Sequence, residues 1–137
     1  MTAPAALYLD TSAVLRAILE SGTTPDIEAK IASAPILLTS RLSQVEAARA
    51  LLRIRGLHTV SEARLADAKR DIDRLWRRCD IWELSPSVCT LAAEVAPSQR
   101  LRTLDALHLA TYVLARERIA SLELLTADDR LRDAAGQ

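Results

Sequence analysis

Apolar positions along this chain alternate between short unbroken runs and runs at helical spacing. Ala5 to Leu9 is an apolar run, followed by Asp10-Thr11-Ser12 and then Ala13, Val14, Leu15, Ala17, Ile18 and Leu19. That order predicts a strand, a capped turn and a helix. Ser21-Gly22-Thr23-Thr24-Pro25 breaks the pattern, and Pro25 with Ile27 and Ile31 predicts a second short helix ending near Pro35. Ile36 to Thr39 reads as the next strand. From Leu42, the positions Val45, Leu52 and several alanines keep helical spacing up to Gly56, read here as a glycine stop after Arg53 and Arg55. Ser61 opens a long amphipathic helix. Its apolar stripe is Leu65, Ala68, Ile72 and Leu75, and its other face, Arg64 to Arg78, is charged and solvated. Asp80 to Leu84 is a third strand, Ser85-Pro86-Ser87 starts a helix through Val95, and Thr103 to Glu117 is a strongly apolar helix. Leu122 to Thr126 is a fourth strand, and Asp128 to Ala135 a last short helix. Strands alternating with helices over connections of crossover length indicate an α/β domain whose parallel sheet is covered on both faces. In such a sheet, chemistry collects at the carboxyl ends of the strands, near a switch in strand order.

Composition narrows the classes. The chain has 137 residues, half of them hydrophobic, a charged fraction of 26% and no net charge. This is the length and composition of one ordinary folded domain, neither disordered nor low in complexity. Uncharged stretches such as Ile31 to Ser40 and Ala106 to Ala115 are about half the ~20 residues that a membrane helix needs. Met1 to Leu9 contains no basic residue, so no signal peptide is expected and a cytoplasmic location is the default. Cys79 and Cys89 fit neither a disulfide framework nor a zinc motif and are expected to be buried or half-buried thiols. Of the 18 basic residues 16 are arginine. Arginine suits phosphate, but the same bias follows from a genome rich in G and C, and a pI near 6.7 is no basic DNA-binding footprint. Two tryptophans, two tyrosines and no phenylalanine exclude a base-stacking platform.

The informative residues are acids. Asp10 ends the first strand and Asp128 closely follows the fourth, so the two emerge at one sheet edge if those strands are neighbours. Glu46 lies in the weakly polar stretch Ser43-Gln44-Val45-Glu46-Ala47-Ala48, and Asp105 in the most apolar helix of the chain. Gathered carboxylates repel, and an oxygen-bound divalent cation, Mg²⁺ or Mn²⁺ in the absence of a Cys or His set, makes such a cluster tolerable. Metal-assisted hydrolysis of a phosphodiester is the chemistry this suggests, with one cation or a pair about 3.5–4 Å apart activating water and neutralising charge on the phosphate. Ser12 and Thr126 stand beside Asp10 and Asp128 as polar helpers. Each acid also has a structural reading: Asp10 and Asp128 as helix caps, Glu46 as a surface residue, Asp105 as the partner of Arg100 or Arg102.

The segments Leu7-Tyr8-Leu9-Asp10-Thr11-Ser12-Ala13, Ser43-Gln44-Val45-Glu46, Thr103-Leu104-Asp105-Ala106-Leu107-His108-Leu109-Ala110 and Leu125-Thr126-Ala127-Asp128 resemble, in order, the four acidic motifs of PIN-domain ribonucleases, most closely the VapC toxins. The resemblance covers nearly the whole chain. It implies a single PIN domain over residues 1–137, a PIN-like three-layer α/β fold with a central parallel sheet of four or five strands flanked by helices, and Asp10, Glu46, Asp105 and Asp128 as Mg²⁺ or Mn²⁺ ligands. Asp129 is the substitute for Asp128, disfavoured by the Thr-x-Asp pattern. It implies further a metal-dependent endoribonuclease acting on tRNA or ribosomal RNA, a homodimer, and inhibition by a cognate VapB-type antitoxin. A fifth strand after the last helix, common in the family, has little room before Gly136-Gln137.

Arg49 and Arg53 follow Glu46 by three and seven positions, so on a helix they share roughly its face and are candidates for RNA phosphate or for pairing with Glu46 itself. His108 reads as a core or dimer-interface histidine, His58 as a loop residue, and Trp76 and Trp82 as core or partner-packing residues. Two other classes compete. An aspartyl phosphatase with Asp10 as nucleophile requires a second Asp two positions on, where this chain has Ser12. A PIN-like module kept only for binding is disfavoured by the presence of all four acids.

Overall fold

The computed structural model describes residues 6–136. Ala5, the start of the expected first strand, and Gln137 lie outside them. The chain runs β1 (Ala6–Leu9), α1 (Thr11–Leu19), α2 (Pro25–Ser33), β2 (Ile36–Ser40), α3 (Arg41–Leu57), α4 (Glu62–Arg78), β3 (Cys79–Trp82), α5 (Pro86–Ala92), α6 (Thr103–Arg118), β4 (Leu122–Leu125) and α7 (Asp129–Ala135). All strand pairings are parallel, in the order β3-β2-β1-β4. The order reverses at β1, which pairs β2 on one side and β4 on the other, so Leu9 stands opposite both Thr39 and Leu125. Four strands are present among the described residues, and no fifth.

β1 is buried on both faces, which is why its sequence is a continuous apolar run rather than an alternating one. Its alternation appears in what each side chain touches. Leu7 and Leu9, with Leu37, face Ala13, Val14, Ile27, Ile31 and Leu75 on one side. Ala6 and Tyr8, with Leu38, face Leu109, Tyr112, Ala115, Leu131 and Ala134 on the other. Trp76 packs on the first cluster and Trp82 on the second, so both serve the core. No described helix is long and apolar enough to cross a membrane.

The helix starts follow their caps. Asp10, Ser40, Ser61, Ser85 and Asp128 each accept a hydrogen bond from a backbone N–H in the first turn of the helix that follows. Some ends differ from the sequence expectation. Gly56 lies within the last turn of α3, and the left-handed residue that closes the helix is His58, with φ 54°. β3 begins one residue early and stops at Trp82, where its partner strand ends at Ser40. α5 ends at Ala92, because Val95 and Ala96 are drawn onto the core cluster around Tyr8, with Ala96 at φ 47°. β4 stops at Leu125, whose carbonyl accepts from Asp10 N, and Thr126 turns its side chain toward Asp10. Cys79 is half-buried as expected, whereas Cys89 is exposed, because Val88 is the α5 residue that fills the core.

Candidate active site

The reversal of strand order sets the carboxyl ends of β1 and β4 side by side, and α3 and α6 close the crevice above them. One cavity of about 200 Å³ there is lined by Asp10, Glu46, Asp105 and Asp128, together with Thr11, Ser12, Leu15, Arg53 and His108. All four acids named from the sequence thus meet, each from a different segment. Asp129 is exposed and pairs with Arg132, leaving Asp128 as the acid that faces the cavity.

Asp10 is only 4% exposed. Its Oδ1 accepts from the Ser12 hydroxyl at 2.7 Å and from Ala13 N at 3.1 Å, and its Oδ2 from the Thr126 hydroxyl at 2.7 Å. The same two hydroxyls accept in turn from the segment after β4, Ser12 from Ala127 N and Thr126 from Asp128 N, both at 2.9 Å. Ser12 and Thr126 therefore tie the ends of the neighbouring strands β1 and β4 together through Asp10. Burial raises the Asp10 carboxyl above the usual aspartate range, against the pull of the Thr126, Ser12 and Ala13 hydrogen bonds. Both structural readings of the end acids hold alongside the shared cavity, since Asp10 caps α1 and Asp128 caps α7.

Asp105 is half-buried in the first turn of α6. Neither Arg100 nor Arg102 forms an ion pair with it. Burial, followed by the charge of Asp128, raises its carboxyl above the usual value. Glu46 moves the other way. Burial pushes it up, but hydrogen bonds from His108 at 2.7 Å and Thr11 at 2.6 Å, with the nearby charge of Arg53, leave it below the ordinary glutamate range. Among the described residues no arginine or lysine forms an ion pair with any of the four acids. The donor set is oxygen, as Mg²⁺ or Mn²⁺ requires. No three of the described acidic, histidine or cysteine side chains already converge on one point, so the fit rests on donor chemistry rather than on a preformed cage.

Of the two arginines singled out on α3, Arg53 lines the cavity and Arg49 does not; neither pairs with Glu46. Sequence reasoning missed Thr11, and it placed His108 in the core without its contact to Glu46. A polar residue one turn after Asp105 in an apolar helix was the available signal for His108.

A family model, the PIN domain, matches residues 7–137. The chain belongs to the PIN domain family. Among its relatives in this family, it is 34% identical over 131 residues to ribonuclease VapC46 of Mycobacterium tuberculosis, covering 96% of this chain and 91% of that one. Its PIN fold is shared by the crystal structure of PAE2754 from Pyrobaculum aerophilum, with a TM-score of 0.67 and 22% identity over 96% of this chain and 80% of the other. A toxin-antitoxin complex from Klebsiella pneumoniae superposes with a TM-score of 0.61 and 22% identity, covering 89% of this chain and 86% of its own.

Proposed function

We propose that this PIN domain, acting as one unit over residues 1–137, is the ribonuclease toxin of a VapBC-type pair, a Mg²⁺- or Mn²⁺-dependent endoribonuclease. The observation that carries the reading is the cavity where Asp10, Glu46, Asp105 and Asp128 are gathered with, among the described residues, no arginine or lysine in an ion pair with them. In this reading the four acids hold the cation. A divalent cation supplies a Lewis acid for the phosphoryl oxygens and makes water nucleophilic near neutral pH. Ser12 and Thr126 fix both oxygens of Asp10, so its orientation is set before any ligand arrives. Arg53, and at longer reach Arg49, binds the RNA backbone beside the acids as a planar donor matched to phosphate.

The VapB-type antitoxin fits the open groove between α1 and α3. That groove is lined by Leu19, Ala50, Ile54 and Leu57 and shares Ser12, Leu15 and Arg53 with the acid cavity. A chain laid there has its next residues at the cavity mouth, where an arginine stands in for the cation. The substrate in this reading is a structured cytoplasmic RNA, tRNA or ribosomal RNA. A homodimer belongs to the same reading and is checked by light scattering of the antitoxin-free protein.

The test is incubation of protein freed of antitoxin with total tRNA and ribosomal RNA, in Mg²⁺ or Mn²⁺ and in EDTA, beside Asp10→Asn prepared identically. The expected result is cleavage that requires metal and is lost in the variant, with fragment ends that identify the target. Intact RNA under every condition overturns the nuclease.

A further inference from the structure

Glu46 is held by one oxygen. Its Oε1 accepts from both the Thr11 hydroxyl and the His108 ring Nε2, and no hydrogen bond from the described residues reaches Oε2. Behind the ring, the Tyr8 hydroxyl stands 2.9 Å from His108 Nδ1. Tyr8 is fully buried, His108 is 2% exposed, and the two rings meet edge to face with centroids 6.1 Å apart. The four residues come from β1, α1, α3 and α6, so the arrangement spans the crevice beneath the cavity.

Donor and acceptor roles follow from the chemistry of each group. An ionised carboxylate only accepts, so Nε2 carries the proton that points at Glu46. A neutral ring protonated at Nε2 leaves Nδ1 as an acceptor, and the Tyr8 phenol, which burial keeps neutral, donates to it. With the ring in that form the hydrogen bonds run in one direction, Tyr8 to His108 to Glu46, and no buried side-chain polar atom among the described residues lacks a partner.

We propose that His108 and Tyr8 are positioning residues that lock Glu46 with Oε1 turned into the protein and Oε2 offered to the cavity as a single-oxygen ligand for the cation. The proposal rests on the metal reading above. Mg²⁺ demands near-ideal octahedral geometry, so a ligand already fixed in one orientation is worth most to it. Partners that orient a metal ligand through a hydrogen bond typically change affinity or activity by roughly 10–100-fold.

The experiment needs no RNA. Mn²⁺ is titrated calorimetrically into metal-free wild type, His108→Leu, His108→Gln and Tyr8→Phe, and the ring nitrogens of His108 are read by ¹⁵N NMR in the metal-free wild type. Leucine removes the donor, whereas the glutamine amide nitrogen stands as many bonds from Cα as the ring Nε2 and restores it. Expected are a loss of Mn²⁺ affinity of about 10–100-fold for His108→Leu, near-recovery in His108→Gln, a smaller loss in Tyr8→Phe, and a ring protonated at Nε2. Wild-type affinity in His108→Leu overturns the proposal, and so does equal weakness in the leucine and glutamine variants, the mark of packing alone. Should His108→Leu not fold, Tyr8→Phe and the ring nitrogens decide it. A wild-type protein that binds Mn²⁺ with the ring protonated at Nδ1 alone has no proton between Nε2 and Glu46, and overturns the proposal. A wild-type protein that binds no Mn²⁺ overturns the metal reading, and the proposal with it.

Discussion

The outer face of α4 carries Lys69 with Asp73, Arg70 with Asp67, and Arg74 with Asp71, each pair one turn apart and exposed. At the carboxyl ends of β1 and β4, four acids share one cavity, and among the described residues no arginine or lysine forms an ion pair with any of them; Glu46 meets the His108 ring at 2.7 Å. The first arrangement is what surface charge does for itself: attraction across one helical turn, screened by water and worth little. The second runs against it. Burial raises both Asp10 and Asp105, and the neighbouring charge of Asp128 adds to the effect on Asp105. The chain has 16 arginines, yet among the described residues none forms an ion pair with these acids, which is the contrast that the proposed cation site rests on. Charge at the surface reports solubility; unpaired charge in a crevice reports a ligand.

The sharpest way to break this contrast is Asp10→Asn or Asp105→Asn. Either is expected to lower metal-dependent RNA cleavage by more than about 100-fold, because even partners one bond removed from a metal ligand cost roughly 10–100-fold. Asparagine caps a helix as well as aspartate does, so the Asp10 variant is expected to unfold no earlier than wild type in thermal melts. A residual rate near wild type would reduce these acids to caps. Arg53→Ala is expected to raise KM about tenfold, the equivalent of ~1.4 kcal/mol, with kcat little changed. Arg49→Ala, outside the cavity, is expected to do less, and the ratio of the two from steady-state kinetics at fixed salt measures how local the phosphate contact is.

The pH dependence of stability sharpens the contrast further. Asp10 and Asp105 have raised carboxyls, so the folded protein binds their protons more tightly than the unfolded chain does. Their contribution is favourable below the ordinary aspartate value and is lost as pH rises through their raised values. Glu46, lowered, contributes above the ordinary glutamate value and loses that contribution as pH falls through its lowered one. In EDTA, therefore, Asp10→Asn is expected to gain in melting temperature relative to wild type as pH rises from about 4 to 7. The smallest effect belongs to the other region. Asp73→Asn on α4 is expected to change stability by less than ~0.5 kcal/mol by urea unfolding and to leave cleavage untouched.

The acids were legible in the sequence because each stands at an element boundary or in an apolar setting that makes it conspicuous. Asp10 after β1 and Asp128 after β4 needed only the parallel β1–β4 pairing to meet, and Asp105 stood out as an acid in an apolar helix. The Glu46 contacts were not legible. His108 lies 62 positions from Glu46 and 100 from Tyr8, separations that only the folded sheet closes. The end of α3 misled for a local reason: Gly56 is a helix breaker by type, yet it stays within the last turn and His58 takes the left-handed turn instead. Cys89 misled because thiols are usually buried, while the packing of α5 depends on Val88.

The most direct test of the central claim, that the gathered acids await a divalent cation, is thermal unfolding of antitoxin-free protein with Mn²⁺ and with EDTA, beside an Asp10→Asn/Asp105→Asn double variant. Mn²⁺ at about 100 times its dissociation constant is expected to stabilise the wild type by ~2.7 kcal/mol and to leave the double variant where it is. A wild-type melt indifferent to Mn²⁺, or the same shift in both proteins, would contradict the claim.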